Sequence, residues 1–166
     1  MSAATKVGQE LMEGIPKTEL SNAFFAEEKS LLQNLKKAML MITGAAVQTF
    51  GPKFDKEQQI ILALSDILIE IYMIESAILR TEKNCERFGL DSQKNQIDMT
   101  QLYLFDAIEK INSKGKEAIV SFSDGAQLKG MIAGLKQYTK YQNYPNVVAL
   151  RRNIAASLIE ENKYPF

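Results

Sequence analysis

Three carboxylates, Asp66, Glu70 and Glu75, stand in the otherwise apolar stretch SDILIEIYMIESAILRTEKN at residues 65–84. Acids in such surroundings serve one of three ends: proton transfer by a pair, metal coordination, or polar fastening inside a helical assembly. Asp66 and Glu70 are four residues apart, so a helix sets them on one face roughly 6 Å from each other. A two-metal carboxylate bundle draws a Glu from each of two helices and a Glu-x-x-His from each of the other two. This chain has no histidine. The same lack removes the usual general base near neutral pH, His-based triads and zinc-helix motifs. Paired-carboxylate glycoside chemistry finds no accompanying cleft or set of sugar-stacking aromatics. No catalytic, cofactor-binding or metal-binding residue is assigned.

Fastening fits better. A buried acid without a partner is costly, so these acids require cations or water. If residues 65–84 belong to the second arm of a helical hairpin turning near residues 52–53, Lys36 and Lys37 come level with Ile69 and Leu68. Either lysine then meets Glu70 across the helix pair, and Glu28 comes near Arg80. Asp66 and Arg80 cannot pair within one helix, because fourteen residues at 1.5 Å rise separate them by about 21 Å. The expected structural charge network is Glu28, Lys36, Lys37, Asp66, Glu70, Glu75 and Arg80.

Other groups are weaker candidates. GLKQYTKYQNY (134–144) mixes Lys136 and Lys140 with Tyr138, Tyr141 and Tyr144, but one short patch on a neutral chain is a poor nucleic-acid signal. Gly125, Gly130 and Gly134 have no preceding strand and no following G-K-[ST], so they form no phosphate loop. Cys85 has no evident base beside it and reads as a packing residue. Ser76 and Thr81 lack an activating partner.

The elements that position these residues are helices. Turn signals fall at GIP (14–16), FGPKFD (50–55), FGLDSQ (88–93), SDG (123–125), NYPN (143–146) and YPF (164–166). Between them the chain lacks strict alternation and is rich in helix formers. The first helix is capped by Ser21 or Asn22 and ends before Gly51-Pro52. The second opens at DKEQ, with Asp55 and Gln58 as a capping box, and runs to Phe88 with Gly89 as terminator. The two form an antiparallel hairpin. The second helix is apolar nearly all round, which suits the centre of a bundle or an oligomer contact. Shorter helices follow over 97–122, with a break near Asn112–Gly115, then 126–141 and about 146–162, the last capped by Asn146. The expectation is all-α: an up-and-down bundle of four to five helices on a long hairpin. Residues 1–21 form a flexible arm and 22–166 one domain, with the hairpin over 22–88 and the shorter helices over 95–163.

Composition agrees. The 166 residues are 46% hydrophobic, enough for one core. Basic and acidic residues balance at 20 each, favouring neither nucleic acid nor an anionic membrane as partner. One cysteine permits no internal disulfide. The longest nearly apolar run, AMLMITGAAV (38–47), is half of a bilayer span, and no secretion signal is visible, so the expected location is cytoplasmic.

AEEKSLLQNLKKAMLMITGAAVQTF (26–50) and EQQIILALSDILIEIYMIESAILRTEKN (57–84) resemble the C-terminal region of acyl-CoA dehydrogenases, especially long bacterial forms with an extra helical segment behind the dehydrogenase body. That group shows a pattern of the type A-D-[ML]-x-I-E-x-Y-x-x-E-S-x-L-L-R-x-E-K, matched here by Asp66, Glu70, Tyr72, Glu75, Ser76, Leu79, Arg80, Glu82 and Lys83. The resemblance covers residues 24–88 and extends further only through helical character. It implies a parent that binds FAD and abstracts a proton from an acyl-CoA with a glutamate in a Glu-Gly-Thr-containing segment. No such segment occurs here, so Glu70 and Glu75 do not inherit that role. The implied function is a non-catalytic domain, without its own cofactor, that packs on the dehydrogenase body of the same polypeptide and self-associates through helical faces. Membrane contact is not expected, for no basic amphipathic stripe stands out. The alternatives are an independent helical adaptor and, further off, a carboxylate-based metal enzyme.

Overall fold

The computed structural model describes residues 24–162. Five α-helices account for most of them: α1 (Ala26–Phe50), α2 (Gln58–Phe88), α3 (Lys94–Phe122), α4 (Gly125–Tyr138) and α5 (Val147–Glu161). Short 3-10 turns, Gly51–Lys56 and Asp91–Gln93, join α1 to α2 and α2 to α3. The protein is an all-α bundle. The expected arm over residues 1–21 and the Ser21 or Asn22 cap lie outside the described residues.

Local chemistry sets the boundaries. α1 begins after Phe25, whose φ of 56° is left-handed. It ends at Gly51, which has a positive φ, and Pro52 follows at the start of the 3-10 turn. α2 ends at Gly89, at φ 85°, whose N–H donates to the Cys85 carbonyl. Asn146 caps α5, its side chain accepting from the Ala149 N–H at 3.1 Å. The capping box expected at Asp55 and Gln58 is not formed. Asp55 is inside the 3-10 turn, and the Gln58 side-chain amide donates to the Asp55 carbonyl.

α3 runs unbroken through Asn112–Gly115, where the sequence predicts a break. Gly115 is there for packing. A Cβ at this position would stand 2.9 Å from a Leu135 methyl of α4 and 3.3 Å from Ile42 of α1. The missing side chain lets three helices close on one point.

The core gathers Leu31, Leu35 and Ile42 of α1, Ile67, Ile74 and Ile78 of α2, Leu104, Ile108, Ile111 and Ile119 of α3, and Leu135 and Tyr138 of α4. α3 packs against all four other helices and is the hub of the bundle. α2 does not occupy the centre. It lies mainly against α1 and α3, which cover the side bearing Ile60, Leu64, Ile67, Ile71, Ile74 and Ile78. Its other side, with Leu62, Ile69, Tyr72 and Met73, is exposed.

Candidate functional site

The acids of α2 project from its two margins, and each margin meets a different helix. Toward α3, Lys114 Nζ is 3.4 Å from Asp66 Oδ2, and Lys110 Nζ is 3.0 Å from Glu70 Oε1. Glu70 Oε2 also accepts from the Tyr103 hydroxyl at 2.7 Å. Toward α1, Lys36 Nζ is 2.7 Å from Glu75 Oε1, and Lys29 is 2.5 Å from Glu82. α2 is therefore edged on both flanks by acid–lysine pairs.

Two expected pairings are corrected. Lys36 meets Glu75 rather than Glu70, and Glu28 accepts from Gln101 at 2.7 Å while Arg80 is exposed on the outer side of α2. The reason is the connection. The Lys36–Glu75 and Lys29–Glu82 pairs centre the hairpin between Asp55 and Lys56, three residues beyond the expected turn, because the 3-10 segment carries the chain on before it reverses. Lys37 lines the groove between α1 and α2 beside Glu75.

The groups that sequence reasoning missed are on α3. Lys110 and Lys114 have the same four-residue spacing as Asp66 and Glu70, and antiparallel packing about the turn near Leu90 brings the two sets level. That matched spacing was the available signal. Thr81 of α2 and Thr100 of α3, both buried, face each other with oxygens 2.7 Å apart. At the start of α1, Glu27 accepts from the backbone N–H groups of Gln142 and Asn143 at 2.9 and 2.7 Å, clasping the loop before α5.

Asp66, Glu70, Lys110 and Lys114 line a cleft of about 240 Å³ together with Ile67, Ile69, Ile111 and Ser113. Its carboxylates are already engaged by lysines. Burial, and then the hydrogen bond to Glu70, push the Tyr103 hydroxyl above its ordinary pKa, so it stays a protonated donor. The Lys114 ammonium is likewise raised, first by its hydrogen bond to Glu117, then by that residue's charge and by Asp66. Burial and the Glu82 charge raise the Cys85 thiol, which works against thiolate chemistry. Among the described residues no three Cys, Asp or Glu side chains stand together as a metal site. The arrangement ties helices together, and none of its acids is paired with a poised nucleophile.

Comparison with known proteins places this architecture. The model of the "Acyl-CoA dehydrogenase, C-terminal domain" family matches residues 34–137, more than half of the chain. A probable acyl-CoA dehydrogenase of Bacillus subtilis (strain 168) is 30% identical over 161 residues, which are 97% of this chain and 27% of that protein. The crystal structure of an acyl-CoA dehydrogenase complexed with FAD from Bacillus anthracis superposes with a TM-score of 0.90 at 34% identity, over 98% of this chain and 27% of that one. The likeness thus runs well beyond residues 24–88, while the chain spans 27% of the length of each of these relatives.

Proposed function

The chain belongs to the acyl-CoA dehydrogenase C-terminal domain family, and from that premise we propose that it is a non-catalytic helical domain that packs on a dehydrogenase body and supports its assembly. The observation that carries this reading is the state of the α2 acids. Asp66, Glu70 and Glu75 each have a lysine within 3.4 Å, and Glu70 also holds Tyr103. Carboxylates neutralised in this way fasten helices and are poorly placed to take a proton from a substrate.

FAD belongs, in this reading, to the body. The α2–α3 cleft that holds Asp66 and Glu70 does not suit a flavin: at about 240 Å³ it is below the roughly 300–1,000 Å³ of ligand pockets, and both of its acids are already paired with lysines. We take residues 22–166 as one domain and the cytoplasm as its location; no described helix is long and apolar enough to cross a membrane.

The test mixes the purified chain with a flavin-loaded acyl-CoA dehydrogenase body. Expected is a complex seen by sedimentation, a higher melting temperature of the flavoprotein, and no flavin absorbance or acyl-CoA oxidation by the chain alone. Oxidation of acyl-CoA by the chain with added FAD overturns the non-catalytic reading. Failure to bind any body favours an independent helical interaction protein.

A further inference from the structure

The outer side of α2 carries Leu62, Leu68, Ile69, Tyr72, Met73 and Leu79, all exposed, with Leu62 at 62% and Tyr72 at 67%. Ser65 and Ser76 stand between them. So long an apolar stripe marks a contact surface on a water-soluble domain. Its margins are the ion pairs already described, with Asp66 and Glu70 held toward α3 and Glu75 and Glu82 held toward α1. Between Leu62 and Leu79 the face carries no charge and its borders are internally neutral; Arg80 and Lys83 follow on the same side just beyond it, and the whole chain has a formal net charge of +0. In an antiparallel pair the two Arg80 side chains stand at opposite ends, about 28 Å apart along the axis, so they do not repel a like molecule appreciably.

The order of residues along the stripe identifies the occupant. About the midpoint between Glu70 and Ile71, Leu62 mirrors Leu79, Ser65 mirrors Ser76, Leu68 mirrors Met73 and Ile69 mirrors Tyr72. Each of these eight residues thus has an apolar or small polar mate at equal distance from the middle, and the match ends at Arg80, which falls opposite Ile61. A two-fold contact requires such self-complementarity, because residue i meets j while j meets i. Two α2 helices laid antiparallel across this midpoint bring Ser65 level with Ser76 of the second copy at both ends of the crossing. The small serines let the helix axes approach, while Ile69 and Met73 interleave along one edge and Leu68 and Tyr72 along the other.

We propose that the chain pairs with a second copy of itself through this stripe, in an antiparallel α2–α2 contact centred between Glu70 and Ile71. Covering six side chains of about 100 Å² each removes on the order of 600 Å² per protomer, or about 1,200 Å² in total, at the lower bound of specific interfaces. The dimer is accordingly concentration-dependent. The inference is independent of docking on a dehydrogenase body, since it concerns the chain alone.

Sedimentation velocity of the full 166-residue chain over a range of concentrations tests it, with the Ile69→Glu/Met73→Glu double variant and far-UV circular dichroism alongside. Expected is a dimer that dissociates on dilution, and a folded double variant that stays monomeric. A second arm oxidises Ser65→Cys and Ser76→Cys chains separately and mixed; the native Cys85 is buried. Disulfide-linked dimers are expected only in the mixture, because an antiparallel crossing sets the like positions about 16 Å apart along the axis. A chain that is monomeric at every concentration, a dimer that survives both glutamates, or linkage within a single-variant sample overturns the proposal. A stripe shielded by residues of the same chain gives the first of these results.

Discussion

The buried hydroxyl pair between α2 and α3 allows a sharp test of how these helices are held. Thr81 Oγ1 and Thr100 Oγ1 are 2.7 Å apart, and Thr100 Oγ1 is also 2.9 Å from the Gln96 carbonyl. A carbonyl accepts only, so Thr100 gives its hydrogen to Gln96 and Thr81 gives its hydrogen to Thr100. The two threonines are thus unequal. Thr81→Val keeps the shape and removes a donor, leaving Thr100 still bonded to Gln96, at a cost of about 0.5–1.5 kcal/mol. Thr100→Val strands the Thr81 hydroxyl in a site that is 1% exposed, at a cost of about 1–3 kcal/mol. Replacing both leaves no orphan and is nearly neutral, so the double variant is more stable than Thr100→Val alone. With a urea dependence of about 1–3 kcal/mol/M, the Thr100→Val midpoint falls by about 1 M and the second substitution restores most of it. Urea melts followed by circular dichroism measure this, best in the Ile69→Glu/Met73→Glu background so that unfolding stays unimolecular. Equal losses for the two single variants, or a double variant showing their sum, refute the assignment of donor and acceptor.

Tyr141 is buried, its hydroxyl has no partner among the described residues, and burial followed by the Glu28 and Glu27 charges raises its pKa above the ordinary 10.0. The folded state therefore keeps the proton: the contribution of Tyr141, and of the similarly raised Tyr103, is complete below pH about 10 and is lost as pH rises further. Melting temperatures should fall as pH rises above about 10, and Tyr141→Phe should be neutral or slightly stabilising at pH 7 with a shallower alkaline decline. A steeper decline in the variant contradicts this. Lys36→Met, at a pair whose side chains are 35% and 40% exposed, should cost under about 1 kcal/mol. Ile78→Ala, at a site 1% exposed, should cost about 2–5 kcal/mol in denaturant melts. The reverse order would mean that charge, not apolar packing, holds the hairpin.

Three helix boundaries were legible because each had a local cause: Pro52 after Gly51, Gly89 after Phe88, and Asn146 before Val147. The buried side of α2 was legible for the same reason, since Ile60, Leu64, Ile67, Ile71, Ile74 and Ile78 recur at helical spacing. What misled was anything that depended on how the chain travels between helices. The 3-10 turn over Gly51–Lys56 moves the hairpin register by three residues and exchanges Glu70 for Glu75 as the partner of Lys36. Gly115 reads as a breaker in one dimension. In three it is the place where Leu135 and Ile42 close in on α3. Apolar residues on both sides of α2 argue for a central position, yet α3, less apolar along its length, touches every other helix. Apolarity on two sides of a helix does not distinguish a core position from an outer one whose partner is another molecule.

The clasp of Glu27 on Gln142 and Asn143 joins points 115 and 116 residues apart. During synthesis α1 leaves the ribosome ahead of the other helices, but the amides that Glu27 holds emerge only after four of the five. α2 and α3, neighbours in sequence with the most extensive mutual packing, can dock while translation continues. The body of α1 can pair with α2 early, through Lys29–Glu82 and Lys36–Glu75, but its first turn is fastened only when almost the whole domain has been made.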